Sequence, residues 1–244
     1  MPRSQSRVLL GSGGISTDVR RKLYREIVSE HFTGCQEVLF VPYASHDHAG
    51  YSERMRGFLW EGATSLVGIE EKEDPLAAVE SAEAIYVGGG NSFLLVSALH
   101  EMGLVAAIRR RVLEGTPYLG VSAGANVASP TMMTTNDMPI VLPPSFDSMG
   151  VVPFQINPHY YPGKVLFMDG EELSSHFGET RAKRIEEYHR ESETPVLGMW
   201  EGSFVHWDGS TGRLTGRATA FRPGHEPAEI PDGSEFDAGL LPVE

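Results

Sequence analysis

Three side chains near the middle of the chain are of the types that together perform nucleophilic catalysis. Ser122 lies in Gly-Val-Ser-Ala-Gly, directly after Thr116–Leu119, which predicts a short buried strand. The pattern G-x-S-x-G at a strand-to-helix turn is typical of a nucleophile elbow, in which a sharp turn presents the serine hydroxyl before a helix N-terminus. A turn without any chemistry fits the motif equally well, because a short motif is a hypothesis until its context is known.

A nucleophilic serine needs a base to take its proton and an acid to orient that base. Asp137, in Thr-Thr-Asn-Asp-Met-Pro-Ile-Val, and His159, in Gln-Ile-Asn-Pro-His-Tyr, follow downstream. Asp137 lies two residues before Pro139 and His159 directly after Pro158, so both are expected at a loop or strand end, where a sheet could bring their side chains together. The order Ser, Asp, His is that of α/β-hydrolases. Since Ser122 to His159 span only 38 residues, we expect a different scaffold.

These segments resemble peptidase E, the aspartyl dipeptidase family. Val-Ser-Ala-Gly-Ala-Asn-Val, Thr-Thr-Asn-Asp-Met-Pro-Ile-Val and Gln-Ile-Asn-Pro-His-Tyr occur in the family's order and spacing, and Val87–Phe93 and Gly178–Arg181 add to the likeness. The resemblance extends from about Val8 to about Gly202. It implies a three-layer α/β/α fold with a mostly parallel sheet, similar to class I glutamine amidotransferases with serine in place of their cysteine. It also implies cleavage of dipeptides that begin with aspartate.

The resemblance assigns catalytic roles to the three residues already singled out. Ser122 would be the nucleophile that forms an acyl-enzyme, His159 the base and Asp137 the acid that orients it. Glu179 is an alternative orienting acid. The family implies no metal and no organic cofactor.

Substrate-binding positions also follow from the resemblance. The backbone amides of Gly90 and Ala123 would form the oxyanion hole, and Asn91 would contact the substrate. An N-terminal aspartate requires a cation for its β-carboxylate, ideally a guanidinium that binds both oxygens. Arg181 of Gly-Glu-Thr-Arg would supply it. The alternative is a helix-start arginine that pairs with Glu179 or Glu186.

The composition of the chain excludes several classes of function and partner. The 244 residues carry a formal net charge of −13, which argues against nucleic acid as a partner because phosphate binding needs a basic face. The single cysteine, Cys35, cannot form an internal disulfide, and this is typical of a reducing compartment. The chain contains no 18-residue apolar run, and its first seven residues lack the apolar stretch of a signal peptide. We expect a cytoplasmic protein without membrane partners, whose partner is a small dipeptide substrate, and a monomer or small homo-oligomer.

Strand-like and helix-like segments alternate along the chain, which predicts an α/β domain over residues 1–222. Ligands of such sheets bind beyond the carboxyl ends of the strands. Residues 160–177 read as irregular, and residues 223–244, acidic and rich in proline and glycine, as a mobile or surface-hugging tail. The expected strands are 7–10, 37–42, 64–69, 84–87, 116–119 and 151–156, and the expected helices are 18–30, 52–61, 75–82 and 104–113.

Three further patterns favour structural over functional interpretations. Gly11–Gly14 follows a first strand but is not G-x-G-x-x-G, so a tight turn is favoured over a dinucleotide loop. His46-Asp47-His48 lacks a third metal ligand at useful spacing, which favours a solvated loop. Arg109–Arg111 lies at a helix C-terminus, where cations complement the dipole.

Two rival functions remain open at this point. A cyanophycinase-like hydrolase would share Ser-Ala-Gly-Ala but lack the Thr-Thr-Asn-Asp-Met-Pro-Ile-Val block. A non-catalytic relative could keep the fold, although the presence of Ser122, Asp137 and His159 together argues against it.

Overall fold

A computed structural model describes residues 6–59, 64–176 and 178–243. The helices are α1 Asp18–His31, α2 His48–Leu59, α3 Pro75–Ser81, α4 Ser92–Glu101, α5 Leu104–Leu113, α6 Ala123–Asn126 and α7 Arg181–Tyr188. The strands are β1 Val8–Gly11, β2 Glu37–Val41, β3 Ser65–Gly68, β4 Ile85–Val87, β5 Tyr118–Val121, β6 Gln155–Tyr160, β7 Val165–Asp169, β8 Glu172–His176, β9 Val196–Trp200, β10 Phe204–Trp207, β11 Gly212–Thr215, β12 Ala218–Phe221, β13 Ala228–Ile230 and β14 Glu235–Phe236.

The largest sheet has eight strands in the order β14-β11-β10-β1-β5-β4-β2-β3. Five neighbouring strands, β1, β5, β4, β2 and β3, run parallel to one another. Strands β10, β11 and β14 extend the sheet beyond β1 with antiparallel pairs. A second sheet has the order β13-β12-β9-β6, in which β6 and β9 are parallel. The predicted α/β fold with a mostly parallel sheet is confirmed.

Alternate residues of the first strand explain why helices cover both faces of the main sheet. Leu9 points into a cluster that includes Tyr24 and Val28 of α1. Leu10 points to the opposite face, into a cluster that includes Ile108 of α5. Because successive side chains of a strand face opposite sides, an uninterrupted apolar strand must be buried on both faces. Both leucines are fully buried.

Most of the expected elements occur with ends shifted by a few residues. Helix α5 has the predicted bounds, and Asp74 caps α3 by accepting from Leu76 N and Ala77 N. The predicted end of the second helix at Glu61 lies outside the described residues. Helix α4 was not predicted, because it is almost uniformly apolar and lacks the one-sided periodicity of a surface helix.

Residues 160–177 contain a regular element where an irregular stretch was expected. Strands β7 and β8 pair antiparallel from Val165↔His176 to Asp169↔Glu172. All five residues of β7 are exposed, so no alternation of buried and exposed positions marks it in the sequence. The last residue of the range, Phe177, lies outside the described residues.

The C-terminal segment packs against both sheets. Strand β13 pairs with β12, and β14 pairs with β11. Ile230, Phe236 and Leu240 are buried, and the Phe236 ring lies 5.9 Å from that of Phe154. The segment thus packs against the rest of the fold and contributes buried side chains to the core.

Within the described ranges, no single helix has the length and apolarity needed to cross a membrane. The consecutive pair α4 and α5 meets the criterion together by length and composition, but the two helices are bent by 93° relative to each other. Leu95 and Leu99 of α4 and Leu104 and Ile108 of α5 are buried in the core.

Candidate active site

Ser122 forms the turn between β5 and α6. Its backbone has φ 55° and ψ −111°, a conformation that is strained for a residue with a side chain and is typical of functional sites. The amide of Ser122 donates to Gly11 O at 2.9 Å, which ties the turn to the end of the neighbouring strand β1. The side chain is therefore held beyond the carboxyl end of the parallel sheet, as a nucleophile elbow requires.

His159 lies against Ser122. The Ser122 Oγ and His159 Nε2 atoms are 2.7 Å apart. His159 sits near the end of β6 with φ 55°, at a shift of the β6–β9 register between Asn157 and Tyr160. This irregularity turns the imidazole out of the second sheet and toward the serine of the first.

The second ring nitrogen of His159 is hydrogen-bonded to Glu201. The Oε2 atom of Glu201 contacts Nδ1 of His159. Glu201 follows directly on β9, the parallel neighbour of β6, so the two side chains leave the same edge of the second sheet. Ser122, His159 and Glu201 form a continuous hydrogen-bonded chain. Glu201 was not among the residues predicted from the sequence.

The turn after β1 contacts both His159 and Glu201. Ser12 is fully buried; its Oγ accepts from the His159 amide at 2.8 Å and donates to Met199 O at 3.1 Å. Gly13 has φ 104°, and a Cβ atom there would lie 3.1 Å from both His159 Cε1 and Glu201 Oε1. The turn predicted at Gly11–Gly14 thus makes room for the pair.

Asp137, predicted to orient His159, has different partners. Its Oδ2 accepts from the amide and the hydroxyl of Ser92, each at 2.7 Å. Ser92 is the first residue of α4, where a carboxylate complements the unpaired amides and the dipole. Since Nδ1 of His159 is occupied by Glu201, the expected contact of Asp137 with His159 is not formed.

The neighbouring Asn136 links the same loop to the histidine strand. Its Nδ2 donates to Pro158 O at 2.7 Å, and its Oδ1 accepts from Asn157 Nδ2 at 2.9 Å. Asn136 and Asp137 therefore tie the residue before His159 to the start of α4. The Thr-Thr-Asn-Asp block acts as a brace between two parts of the site.

Gly90 and Ala123 have backbone amides that are available for an oxyanion. Within the described ranges, neither N–H has a hydrogen-bond partner, whereas the amide of Gly89 donates to the Tyr51 hydroxyl at 3.0 Å. A Cβ atom at Gly89 would lie 3.0 Å from Ser122 Cβ, so this loop packs on the serine. Gly90 has φ 136°, and a Cβ atom would lie 2.3 Å from Ala44 O. Only glycine fits there.

Asn91, predicted to bind substrate, caps α4 with its side chain. Its Oδ1 accepts from Phe93 N at 3.0 Å and Leu94 N at 3.2 Å, and its Nδ2 donates to Met138 O at 2.9 Å. These bonds hold the segment that carries Gly90. Contact of the Asn91 side chain with a substrate stays a prediction.

Arg181 lies on the His159 side of the site. Its Nη1 donates to Pro158 O at 3.2 Å, and its guanidinium carbon is 6.0 Å from the centroid of the Tyr161 ring. No carboxylate forms an ion pair with Arg181 in the part of the chain that the structure describes. Burial lowers the pKa of the guanidinium from its ordinary value, and the charge of Arg184 adds to this.

The alternative partners considered for Arg181 are engaged elsewhere. Glu179 lies 3.6 Å from Arg184, and Glu186 pairs with Lys183 at 2.7 Å. Glu179, the alternative orienting acid, is therefore directed to a cation of α7, while His159 is paired with Glu201. A half-buried cation next to His159 remains available for an anionic ligand.

His46 and His48 do not form part of a metal cluster. Within the described residues, no group of three or more His, Cys, Asp or Glu side chains could hold a metal ion. Asp47 accepts from Gly50 N at 3.0 Å at the start of α2, and the His48 ring packs edge-on against Tyr43 at 5.1 Å. The run thus forms the beginning of a helix.

Comparison with known proteins gives the chain its family. The profile of peptidase family S51 matches residues 8–215. Peptidase E of Streptomyces coelicolor is 48% identical over 199 residues, which cover 81% of this chain and 79% of that protein. A probable alpha-aspartyl dipeptidase of Drosophila melanogaster is 46% identical over 184 residues, covering 75% and 74%.

Solved structures agree in fold. A peptidase from an acI-B1 Actinobacterium aligns with a TM-score of 0.64 at 16% identity and covers 96% of this chain and 98% of that one. A putative peptidase E protein from Listeria monocytogenes EGD-e aligns with a TM-score of 0.58 at 21% identity, covering 93% and 99%. The resemblance seen in the sequence is confirmed, and the chain belongs to peptidase family S51, a family of serine peptidases.

Proposed function

We propose that this protein is an α-aspartyl dipeptidase in which Ser122 is the nucleophile. The observation that carries the proposal is the hydrogen-bonded chain from Ser122 Oγ through His159, 2.7 Å away, to the carboxylate of Glu201. The names of the two relatives, peptidase E and alpha-aspartyl dipeptidase, support the substrate class.

The chemistry follows from amide cleavage by an activated serine. His159 takes the Ser122 proton as Oγ attacks the scissile carbonyl, and then donates it to the leaving amine. Glu201 fixes the imidazole through Nδ1 and stabilises the imidazolium. Water, activated by the same histidine, hydrolyses the acyl-enzyme and regenerates Ser122. This mechanism requires no metal or organic cofactor.

The developing oxyanion is stabilised by the amides of Gly90 and Ala123. Both are backbone donors on segments fixed by other bonds, so they need little reorganisation during the reaction. Loss of one such donor typically costs about 2.7–4 kcal/mol of barrier. Asp137 and Asn91 contribute indirectly, because they hold the start of α4 directly after Gly90.

Arg181 is proposed to bind the β-carboxylate of the N-terminal aspartate. It is a half-buried guanidinium beside Pro158, one residue before the base. Partial burial weakens solvent screening, so a carboxylate gains more from this cation than from an exposed one. We further propose a cytoplasmic location, given the single cysteine, a monomer or small homo-oligomer, and no partner beyond the dipeptide.

A panel of dipeptides tests the proposal. The wild-type protein should cleave Asp-Leu, while Glu-Leu, Asn-Leu and N-acetyl-Asp-Leu should be poor substrates. The Ser122→Ala variant should lose activity by a factor of about 10⁶ in kcat while its thermal midpoint stays almost unchanged. The measurement is release of free leucine together with thermal unfolding. Retention of more than a few per cent of the rate would exclude Ser122 as the nucleophile.

The same panel separates the rival functions. Cleavage of cyanophycin without cleavage of Asp-Leu would indicate a cyanophycinase-like hydrolase. If no substrate is turned over and a serine-reactive phosphonate leaves Ser122 unlabelled, the chain is a non-catalytic relative.

A further inference from the structure

A cleft of about 440 Å³ borders the oxyanion loop. Gly90 is one of its lining residues, Leu94 and Ile140 form an apolar part of its wall, and His46 and Arg54 provide polar groups. His159, Glu201 and Arg181 are not among the residues that line it. The cleft is therefore separate from the region in which Arg181 contacts Pro158.

Arg54 is linked to the oxyanion loop through one side chain. Its guanidinium carbon lies 5.7 Å from the centroid of the Tyr51 ring, and the Tyr51 hydroxyl accepts from the Gly89 amide at 3.0 Å. Arg54 also forms a 3.3 Å ion pair with Asp47, but the side chains are 63% and 66% exposed. An exposed pair of this kind is weak, so the guanidinium can exchange Asp47 for another carboxylate.

We propose that this cleft holds the leaving residue of the dipeptide and that Arg54 binds its terminal carboxylate. The inference rests on the proposed dipeptidase function. The terminal carboxylate of a dipeptide lies one residue, about 3.8 Å, beyond the acyl residue, so it must be bound close to the oxyanion hole. Gly90 belongs to both the oxyanion loop and the cleft, which gives the required proximity.

The charges of the substrate match the two cations of the site. An Asp-Xaa dipeptide carries a β-carboxylate on the acyl side of the scissile bond and a terminal carboxylate on the amine side. Arg181 lies beside the histidine strand and Arg54 beyond the oxyanion loop. One guanidinium for each carboxylate explains why a dipeptide would be preferred to a longer chain, in which the second carboxylate is an amide.

The apolar wall specifies the side chain of the leaving residue. Leu94 is half-buried and Ile140 is 55% exposed, so a leucine or methionine side chain would cover apolar surface that is otherwise wet. The cleft is of the size that small-ligand sites commonly have. We therefore expect preference for medium-sized apolar leaving residues with a free carboxylate.

A cycle of one substitution in the enzyme and one in the substrate tests the inference. The substrates are Asp-Leu and Asp-Leu amide, which differ only in the terminal carboxylate. Wild-type kcat/KM should be about ten- to a hundredfold higher for Asp-Leu, the range expected of a charge-assisted bond. In Arg54→Ala this preference should vanish through loss on Asp-Leu alone, and Arg54→Lys should retain part of it.

Arg110→Ala is the matched control. Arg110 is an exposed arginine that pairs with Glu80 at the C-terminal end of α5, so its loss changes the net charge equally and should leave the preference unchanged. Asp47→Asn keeps the acceptor for Gly50 N and removes the competing charge. It should lower KM for Asp-Leu and not for the amide.

The outcomes separate the inference from the proposed function. If the wild-type protein cleaves neither substrate, the dipeptidase function fails and the inference fails with it. If it cleaves both equally well, or if Arg54→Ala reduces kcat/KM equally on both, the dipeptidase function stands and the assignment of Arg54 is overturned. An unchanged or raised KM for Asp-Leu in Asp47→Asn also contradicts it.

Discussion

Two histidines bind at opposite ends of strand β5 and have opposite environments. His31, the last residue of α1, contacts the carbonyl of Tyr118 at the start of β5 through Nε2, at 3.0 Å. His159 contacts the hydroxyl of Ser122, directly after the end of β5, at 2.7 Å. A structural imidazole therefore contacts one end of β5, and the proposed catalytic imidazole contacts the residue that follows its other end.

The partners of each ring explain the difference. His31 is 6% exposed, and a carbonyl can only accept, so Nε2 must carry a proton and donate it. Burial, and the positive neighbours His206 and Arg7, lower the pKa of His31 to about 3. His159 is 37% exposed in its side chain and lies between a hydroxyl that can lose its proton and a carboxylate. Burial with a fixed acceptor keeps an imidazole neutral, whereas a carboxylate prepares it for protonation.

Of the variants that test this comparison, Glu201→Gln should produce the largest change, because it removes the group that distinguishes His159 from His31. We expect kcat to fall by about 10³–10⁴-fold, as when the triad acid of other serine peptidases is made neutral. Steady-state kinetics on Asp-Leu measures the loss.

Asp137→Asn is the matched control for Glu201→Gln. It should reduce kcat by no more than about tenfold and destabilise the protein by about 1 kcal/mol, the scale of a carboxylate at a helix start. A severe loss for Asp137→Asn together with a mild loss for Glu201→Gln would reassign the orienting acid to Asp137.

The sequence predicts the framework of the site better than its acid. Ser122 and His159 lie at strand ends in local motifs with a mechanism, and their neighbours in sequence mark them. Glu201 stands in Trp-Glu-Gly-Ser, which carries no such motif. Its partner lies 42 positions away, and only the pairing of β6 with β9 brings the two together. A usable signal was an acid at the end of a strand followed by glycine, here Gly202 with φ 80°.

The same reasoning explains why Asp137 contacts Ser92 and not His159 in the structure. Asp137 is the acid in the Thr-Thr-Asn-Asp-Met-Pro-Ile-Val block, which precedes His159 in the sequence. Spacing along the chain alone cannot show which acid lies next to His159 in the fold. The structure turns its carboxylate to Ser92, at the start of a helix that apolar periodicity did not reveal. Long-range pairing and an unseen helix, not local propensity, decided which acid meets His159.

Arg181→Ala should have the second-largest effect. It tests whether the end of β5 next to His159 binds substrate, in contrast to the structural end next to His31. Loss of a charge-assisted, partly buried pair predicts a fall in kcat/KM for Asp-Leu of about ten- to a hundredfold. Asn-Leu, which lacks the β-carboxylate, should change little. Equal losses on both substrates would show that Arg181 only supports Pro158. Lys183→Ala, which removes an exposed cation of the same helix, is the control.

His31→Gln should have the smallest effect, and its effect should fall on stability instead of catalysis. Gln keeps an N–H donor for the Tyr118 carbonyl but cannot titrate. The pKa of His31 lies at about 3 in the folded protein, against about 6.5 in an unfolded chain. Between these values the unfolded chain binds a proton that the folded protein does not. This group therefore lowers the stability as the pH falls, by up to about 1.4 kcal/mol per pH unit, and contributes almost no slope above about pH 7.5.

The free energy of unfolding of His31→Gln should consequently depend less steeply on pH below 6.5 than that of the wild-type protein. Urea titrations at pH 7, 6, 5 and 4 measure the difference, since carboxylates elsewhere contribute equally to both proteins and cancel. His225→Gln, which removes an exposed histidine of the C-terminal segment, is the matched control. Activity on Asp-Leu at pH 7 should stay near the wild-type value. Parallel pH curves for the two proteins would mean that His31 accepts a proton while the protein is folded, and its assignment as a neutral, structural imidazole would be wrong.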